Sequence, residues 1–212
     1  MSLKILHEDD ALIAVDKPCG QPVVPGRGEV GLALIKEIES HLPRKPYVVH
    51  RLDLATSGLV LFAKTSAAHK TLSQMFESHS ITKRYLALAQ GLVAHNDDIT
   101  TPIKQFGSGR MGVAEDGKPS VTRFIIQKRL KGATLLDVKP ESGRRHQIRV
   151  HFYSIAHPLL GDPLYGEARP VGGVSRLMLH ATKLKFSHPD LGDYDLRCAP
   201  PADFDAIVAK YA

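Results

Sequence analysis

The polar nonamer His50-Arg51-Leu52-Asp53-Leu54-Ala55-Thr56-Ser57-Gly58 separates two apolar runs, Tyr47-Val48-Val49 and Leu59 to Ala63. Two short strands with a tight connection between them follow from that pattern. The connection carries a carboxylate, Asp53. Arg51 stands two residues before it, and a Thr-Ser-Gly turn follows. A nearby cation favours the ionised acid. An ionised and oriented carboxylate can act as a nucleophile or a base. The same residues also suit a plain polar loop in which Asp and Thr-Ser side chains cap backbone groups.

Composition narrows the classes. A chain of 212 residues suits one domain of generous size or two small ones, and 43% hydrophobic with 24% charged residues describes a globular protein able to bury a core. The start Met1-Ser2-Leu3-Lys4 has no signal-peptide core, and no apolar run approaches membrane-spanning length. The two cysteines, Cys19 and Cys198, are too few for a secreted disulfide scaffold. A cytoplasmic protein is expected. The net charge of +6 is concentrated: residues 101–150 hold 11 Lys or Arg against 4 Asp or Glu. A localised basic surface favours polyanions, nucleic acid above all.

Ile5 to Lys17, containing Leu12-Ile13-Ala14-Val15, reads as a strand that ends at Lys17-Pro18-Cys19-Gly20. A loop with Pro22, Pro25, Gly26 and Gly28 follows. Leu34, Ile35, Ile38 and Leu42 recur at helical spacing, and Ser66 suits the N-cap of a helix through Leu72, Met75 and Phe76. Lys83 to Gln90 alternates as a half-exposed strand would, with Leu86 and Leu88 opposite Lys83 and Tyr85. Gln105 to Ser120, rich in glycine, reads as a long, mobile, basic loop. Val121 to Lys128 and Ala133 to Val138 form a strand pair. Arg144 to Ala156 predicts a helix barred by Pro158. Leu177 to Phe186 is a further strand, Asp190 to Asp193 a turn, and Asp203 to Lys210 a closing helix. The mixture is α+β with a largely antiparallel sheet.

Three polar clusters accompany the nonamer. Lys83-Arg84-Tyr85 offers a ring for stacking a base and two charges for phosphate. In Gly143 to His151, Arg145 and Arg149 would share a helix face, with the helix N-terminus adding attraction for anions. His146, His151, His157 and Asp162 lack the spacing of a zinc hydrolase, and no nucleotide-binding glycine loop is present.

Taken in order, these segments closely resemble the RluA-type pseudouridine synthases. His50 to Gly58 resembles the HRLDxxTSG signature, Lys17-Pro18-Cys19-Gly20 the early KPxG loop, and Lys83-Arg84-Tyr85-Leu86-Ala87 the KxYxA strand. Gly117-Lys118-Pro119 with Thr122 resembles GKPxxT. Gly143 to His151 resembles GRxHQxRxH, continued by His157-Pro158, Gly161-Asp162 and Tyr165-Gly166. The likeness runs from about residue 5 to 205. Ser142 and Gln21 depart from it, at positions away from the inferred chemistry. The chain resembles the short members that begin at the catalytic domain, without an N-terminal S4-type RNA-binding domain.

The resemblance implies a single catalytic domain over residues 1–212. Its fold is the pseudouridine synthase catalytic fold, a largely antiparallel mixed sheet flanked by helices and loops. It implies isomerisation of uridine to pseudouridine in ribosomal or transfer RNA, with no cofactor, no metal and no membrane, and nothing demands more than a monomer. Asp53 is the implied catalytic carboxylate, Arg149 its guanidinium partner, and Tyr85 the ring that stacks on the target base. A flipped uridine leaves a gap that Arg51 would fill. His50, Lys83, Arg84, Arg144 and Arg145 are the further RNA contacts. Two other readings stay open on residues alone: a non-catalytic RNA-binding protein, and a carboxylate-dependent hydrolase, which would need a second acid.

Overall fold

Runs of apolar residues short enough for strands dominate the core of the protein. A computed structural model describes residues 3–26, 32–166 and 173–212. Gly28 of the expected loop and the first two residues lie outside these. The chain divides into two units, Met1–Lys83 with Ala181–Ala199, and Arg84–His180 with Pro200–Ala212.

The first unit contains β1 (Ile5–Glu8), β2 (Leu12–Lys17), β3 (Tyr47–Val48) and β4 (Ser57–Ala63). Strands β11 (Leu179–His188) and β12 (Gly192–Arg197) complete it. The order is β1-β2-β4-β11, with β3 on β4 and β12 on β11. Leu12 to Val15 and all of β4 are buried, so these apolar runs are covered on both faces. Helix α1 (Leu34–His41) turns Leu34, Ile35 and Ile38 onto Ile13, Val15, Val60 and Phe62. It stops where Leu42, extended ahead of Pro43, leaves helical geometry. Helix α2 (Ser66–Glu77) is capped by Thr65, whose Oγ1 accepts from the Ala68 N–H at 3.2 Å. The cap therefore sits one residue before the expected Ser66, because Thr65 is the last residue with extended dihedrals.

The second unit contains most of β5 (Thr82–Gln90), then β6 (Asp97–Ile99), β7 (Ile103–Gln105), β8 (Met111–Val113), β9 (Thr122–Leu130) and β10 (Ala133–Pro140). Its order is β5-β10-β9-β6, antiparallel throughout. Two sequence expectations change here. Ala87, Leu88 and Ala89 are all fully buried, so β5 is covered on both faces over this stretch. Alanine on the second face disguised that burial as alternation. Residues 105–120 are not an unstructured loop: β7 and β8 pair as a hairpin, Ile103 opposite Val113 and Gln105 opposite Met111. Strands of three residues are too short to show a period of two.

Helix α3 (Gln147–Ser154) is buried from Gln147 to Phe152, and α4 (Ala202–Lys210) packs Phe204 and Ile207 against Leu88, Leu130, Leu160 and Met178. Arg176 holds the start of α4 through both oxygens of Asp203, at 2.9 and 3.0 Å. The fold is α+β with largely antiparallel strands, as the sequence implied. No helix among the described residues is long and apolar enough to cross a membrane.

Candidate active site

Asp53 sits half-buried on the turn between β3 and β4, and its carbonyl accepts from the Thr56 N–H at 3.1 Å. The next two carbonyls are tied down from the other side. Leu54 O accepts from the Gly20 N–H at 2.9 Å and from Lys17 Nζ at 3.1 Å, and Ala55 O accepts from Cys19 Sγ at 3.1 Å. Lys17 is fully buried, and its ammonium also donates to Pro18 O at 3.0 Å and Gln21 O at 2.7 Å. A buried ammonium is tolerable only when carbonyls replace its water shell. Lys17 therefore joins the Lys17–Gln21 loop to the Asp53 turn. Beyond the turn, Gly58 adopts φ +111°, and a Cβ there would fall 2.6 Å from Ala181 N and 2.9 Å from Ala181 C. Only glycine permits β4 to pass so close to β11.

His50 has a job the sequence did not assign. Its Nε2 accepts from the Leu61 N–H at 2.9 Å, and its ring stacks on Phe76 with centroids 4.6 Å apart. Burial of the ring, aided by the charge of Lys83, pushes its pKa down to about 3. A neutral ring used as an acceptor braces β4 and offers no charge to phosphate, contrary to the expected RNA contact. Arg51 is exposed and Lys83 half-buried.

In the second unit the Gly143 to His151 motif folds differently from expectation. The helix begins at Gln147, not Arg144, because the Gln147 side chain occupies the backbone groups ahead of it. Its Oε1 accepts from the Arg144 N–H at 3.0 Å and from Ser142 Oγ at 2.7 Å, and its Nε2 donates to Val121 O at 2.9 Å. His146, immediately before α3, is left-handed at φ 56° and makes a 2.8 Å hydrogen bond from Nδ1 to the Tyr165 hydroxyl. Arg145 thus precedes the helix and shares no helical face with Arg149.

Arg149 is 2% exposed and makes a two-pronged ion pair: Nε to Asp162 Oδ2 and Nη2 to Asp162 Oδ1, both 2.8 Å. Burial alone would raise the Asp162 pKa. The Arg149 hydrogen bond and charge, with the Leu164 and Tyr165 N–H groups, outweigh it and hold the carboxyl below its usual range. His151 bonds through Nδ1 to Thr122 Oγ1 at 2.8 Å and through Nε2 to Thr101 O at 2.9 Å, and burial lowers its pKa. Gln147 also reaches Thr122 Oγ1, at 3.1 Å. The polar residues of α3 are thus a buried framework, and Thr122 of the GKPxxT segment is its junction.

The remaining expected RNA contacts diverge. Tyr85 is half-buried on β5 opposite Val138. Strand alternation puts Arg84 on the other face from Tyr85, where it pairs with Asp137 at 3.3 Å. Arg144 Nε donates to Pro119 O at 3.3 Å, while Arg145 is exposed. Arg145 and Arg51 are therefore the expected cations most accessible to a polyanion.

A model of the RNA pseudouridylate synthase family matches residues 11–154. The chain belongs to this family. The match covers the Asp53 turn, the Tyr85 strand and α3, and the relationship to the RluA type extends over nearly the whole chain. The chain is 38% identical to "ribosomal large subunit pseudouridine synthase D" of Nitrosomonas europaea, over 97% of this chain and 64% of that protein. It is 37% identical to "ribosomal large subunit pseudouridine synthase C" of Salmonella typhi, over 94% of this chain and 66% of that one. It thus spans about two thirds of the length of these relatives. Among solved structures, human RNA pseudouridylate synthase domain containing 1 superposes with a TM-score of 0.80 at 28% identity, covering 96% of this chain and 86% of that chain. The family is one of RNA isomerases, and the fold named from the sequence is the fold observed.

Lys17, Gln147 and Tyr165 are not singled out as site residues by sequence, and Asp162 is weighed there only as a metal ligand. Each lies inside a motif, but their work is hydrogen bonding to distant backbone. One signal was available: Lys17 ends an apolar strand in a register that points inward.

Proposed function

We propose that this protein isomerises specific uridines to pseudouridine in structured RNA, ribosomal or transfer, with Asp53 as the catalytic carboxylate. The observation that carries the reading is the immobilised Asp53 turn, whose flanking carbonyls are held by Lys17, Gly20 and Cys19. A reacting carboxylate gains most when its backbone cannot drift. The names of the relatives, which specify the large ribosomal subunit, support ribosomal RNA as the substrate. Residues 1–212 act as one catalytic domain, working as a monomer in the cytoplasm.

In this reading the N1–C1′ bond of the target uridine breaks, the base rotates, and C5 bonds to C1′. Asp53 attacks C1′ as a nucleophile, or takes a ribose proton on the way to a glycal. Arg149 is the guanidinium assigned to the reacting carboxylate, and Asp162 fixes it through Nε and Nη2. Tyr85 stacks on the flipped uracil, and Arg51 fills the vacated stack. Arg145 and Lys83 contact phosphates.

The test is pseudouridine mapping in total RNA treated with the protein and with Asp53→Asn. Loss of the modification with RNA binding retained supports the reading. Full activity in Asp53→Asn would remove the central claim, and release of free uracil would favour a hydrolase.

A further inference from the structure

The hairpin β7–β8 carries a feature that the chemistry at Asp53 does not use. Phe106 stands at its tip, 47% exposed, in a turn otherwise made of Gly107, Ser108 and Gly109. The turn is closed by Gly109 N–H to Phe106 O at 2.8 Å and Phe106 N–H to Arg110 O at 2.9 Å, with Gly109 left-handed at φ +78°. That geometry fixes a hairpin tip rather than leaving a loose end. Gly112 seats the ring: a Cβ at 112 would lie 2.8 Å from Phe106 Cε2. The ring therefore lies close over the Gly112 backbone, with about half of the residue exposed.

The root of the hairpin is anchored. Ile103 packs with Val150 and Tyr165, and the Tyr165 hydroxyl accepts from the Met111 N–H at 3.1 Å. The Arg110 guanidinium lies 5.0 Å from the Tyr165 ring centroid and donates to Leu164 O. A mobile apolar residue would lose contact with any partner. This one is held on an anchored hairpin whose residues 103–118 carry Lys104, Arg110 and Lys118 against Glu115 and Asp116, with Lys104 paired to Asp116. A flat aromatic ring on the same hairpin as exposed Lys118 matches the chemistry of an unpaired base on a phosphate backbone.

We propose that Phe106 is a stacking platform for an unpaired RNA base, separate from the reacting uridine. The proposal rests on RNA as the substrate. It predicts sequence-tolerant affinity from the ring, because every base has a π-face.

The probe is a fluorescently labelled ten-nucleotide oligouridylate, with anisotropy measured at two salt concentrations. Phe106→Ala should weaken binding about tenfold without changing the salt dependence, since no phosphate contact is removed. Phe106→Trp should bind at least as tightly as the original protein. Phe106→Leu keeps an apolar residue over Gly112 but has no π-face, and should lose as much as Phe106→Ala. Leu92→Ala, which trims another exposed apolar side chain, should change nothing. Wild-type affinity in Phe106→Ala or Phe106→Leu overturns the proposal, as does failure of the unaltered protein to bind the oligonucleotide. Pseudouridine formation on total RNA separates the two claims. Loss of modification in Asp53→Asn alongside wild-type binding by Phe106→Ala would sink the platform and leave the isomerase reading standing.

Discussion

Replacing Lys17 by Met isolates what the buried ammonium contributes to the Asp53 turn. The methylene stem and its volume are largely retained, so the change removes charge and donors rather than packing. Three carbonyls lose their cation: Pro18 O, Gln21 O and Leu54 O. They are not equal losses. Leu54 O keeps the Gly20 N–H at 2.9 Å, and Pro18 is exposed, so water can reach its carbonyl. Gln21 O, at 2.7 Å, loses most. Charge-assisted hydrogen bonds contribute about 1.5–3 kcal/mol each, and removal of the ammonium also relieves its own burial cost of several kcal/mol. The balance is a destabilisation of about 2 kcal/mol. With a urea slope of about 2 kcal/mol/M, the unfolding midpoint should fall by about 1 M. Activity should fall further than stability explains. With Leu54 O released from Lys17, Asp53 drifts, and a displacement on the order of 1 Å can cost about 100-fold in rate. The assay is urea unfolding followed by circular dichroism, with kcat and KM for pseudouridine formation measured where the variant is folded. An unchanged midpoint together with an unchanged kcat would refute the reasoning.

Asp162→Ala strips the buried Arg149 of its two-pronged partner and should cost about 3–5 kcal/mol, read as a fall in Tm of roughly 10 °C. Tyr85→Phe keeps the ring and should retain more activity than Tyr85→Ala; equal losses in kcat/KM would argue against stacking. His50 sets a pH dependence. Its folded pKa is depressed to about 3, so the unfolded chain binds more protons below the ordinary value of 6.5. The stability from the neutral ring is complete above 6.5 and declines as the pH falls towards 3. Asp162 acts in the same direction at lower pH, because its carboxylate stability is present above its ordinary value of 3.8 and is lost below it. Urea midpoints between pH 7 and 5 should therefore slope less in His50→Asn than in the original protein.

Most of the architecture was legible because apolar runs of strand length carry their own signal. Leu12 to Val15, Leu59 to Ala63 and the strand pair before and after Gly132 all appear where periodicity put them. The misreadings share a cause. The β7–β8 hairpin is stabilised by Tyr165 and Val150, far enough along the chain that no local window registers them. The start of α3 was misplaced for the same reason. Arg144 to His146 has helical composition, but Gln147 recruits Ser142, Val121 and Thr122 and turns His146 left-handed instead. Tertiary hydrogen bonds override local propensity at both places.

The same distinction sorts the motif residues. His50, Arg84 and Arg144 are among the expected RNA contacts. Three-dimensional partners give them other work: His50 props β4, Arg84 meets Asp137, and Arg144 reaches Pro119 O. A site that relies on one carboxylate has little tolerance for movement, so much of its polar sequence goes into holding backbone still. Lys17, His50 and Gly58 do this around Asp53; Gln147, His151, Thr122 and Asp162 do it around Arg149. In the proposed reading, RNA recognition falls to residues that the framework leaves exposed, Arg51, Arg145 and Phe106. Substitutions among those three should therefore change KM while leaving Tm almost untouched, whereas substitutions in the framework should change Tm and kcat together. A framework variant that altered KM alone would contradict this division.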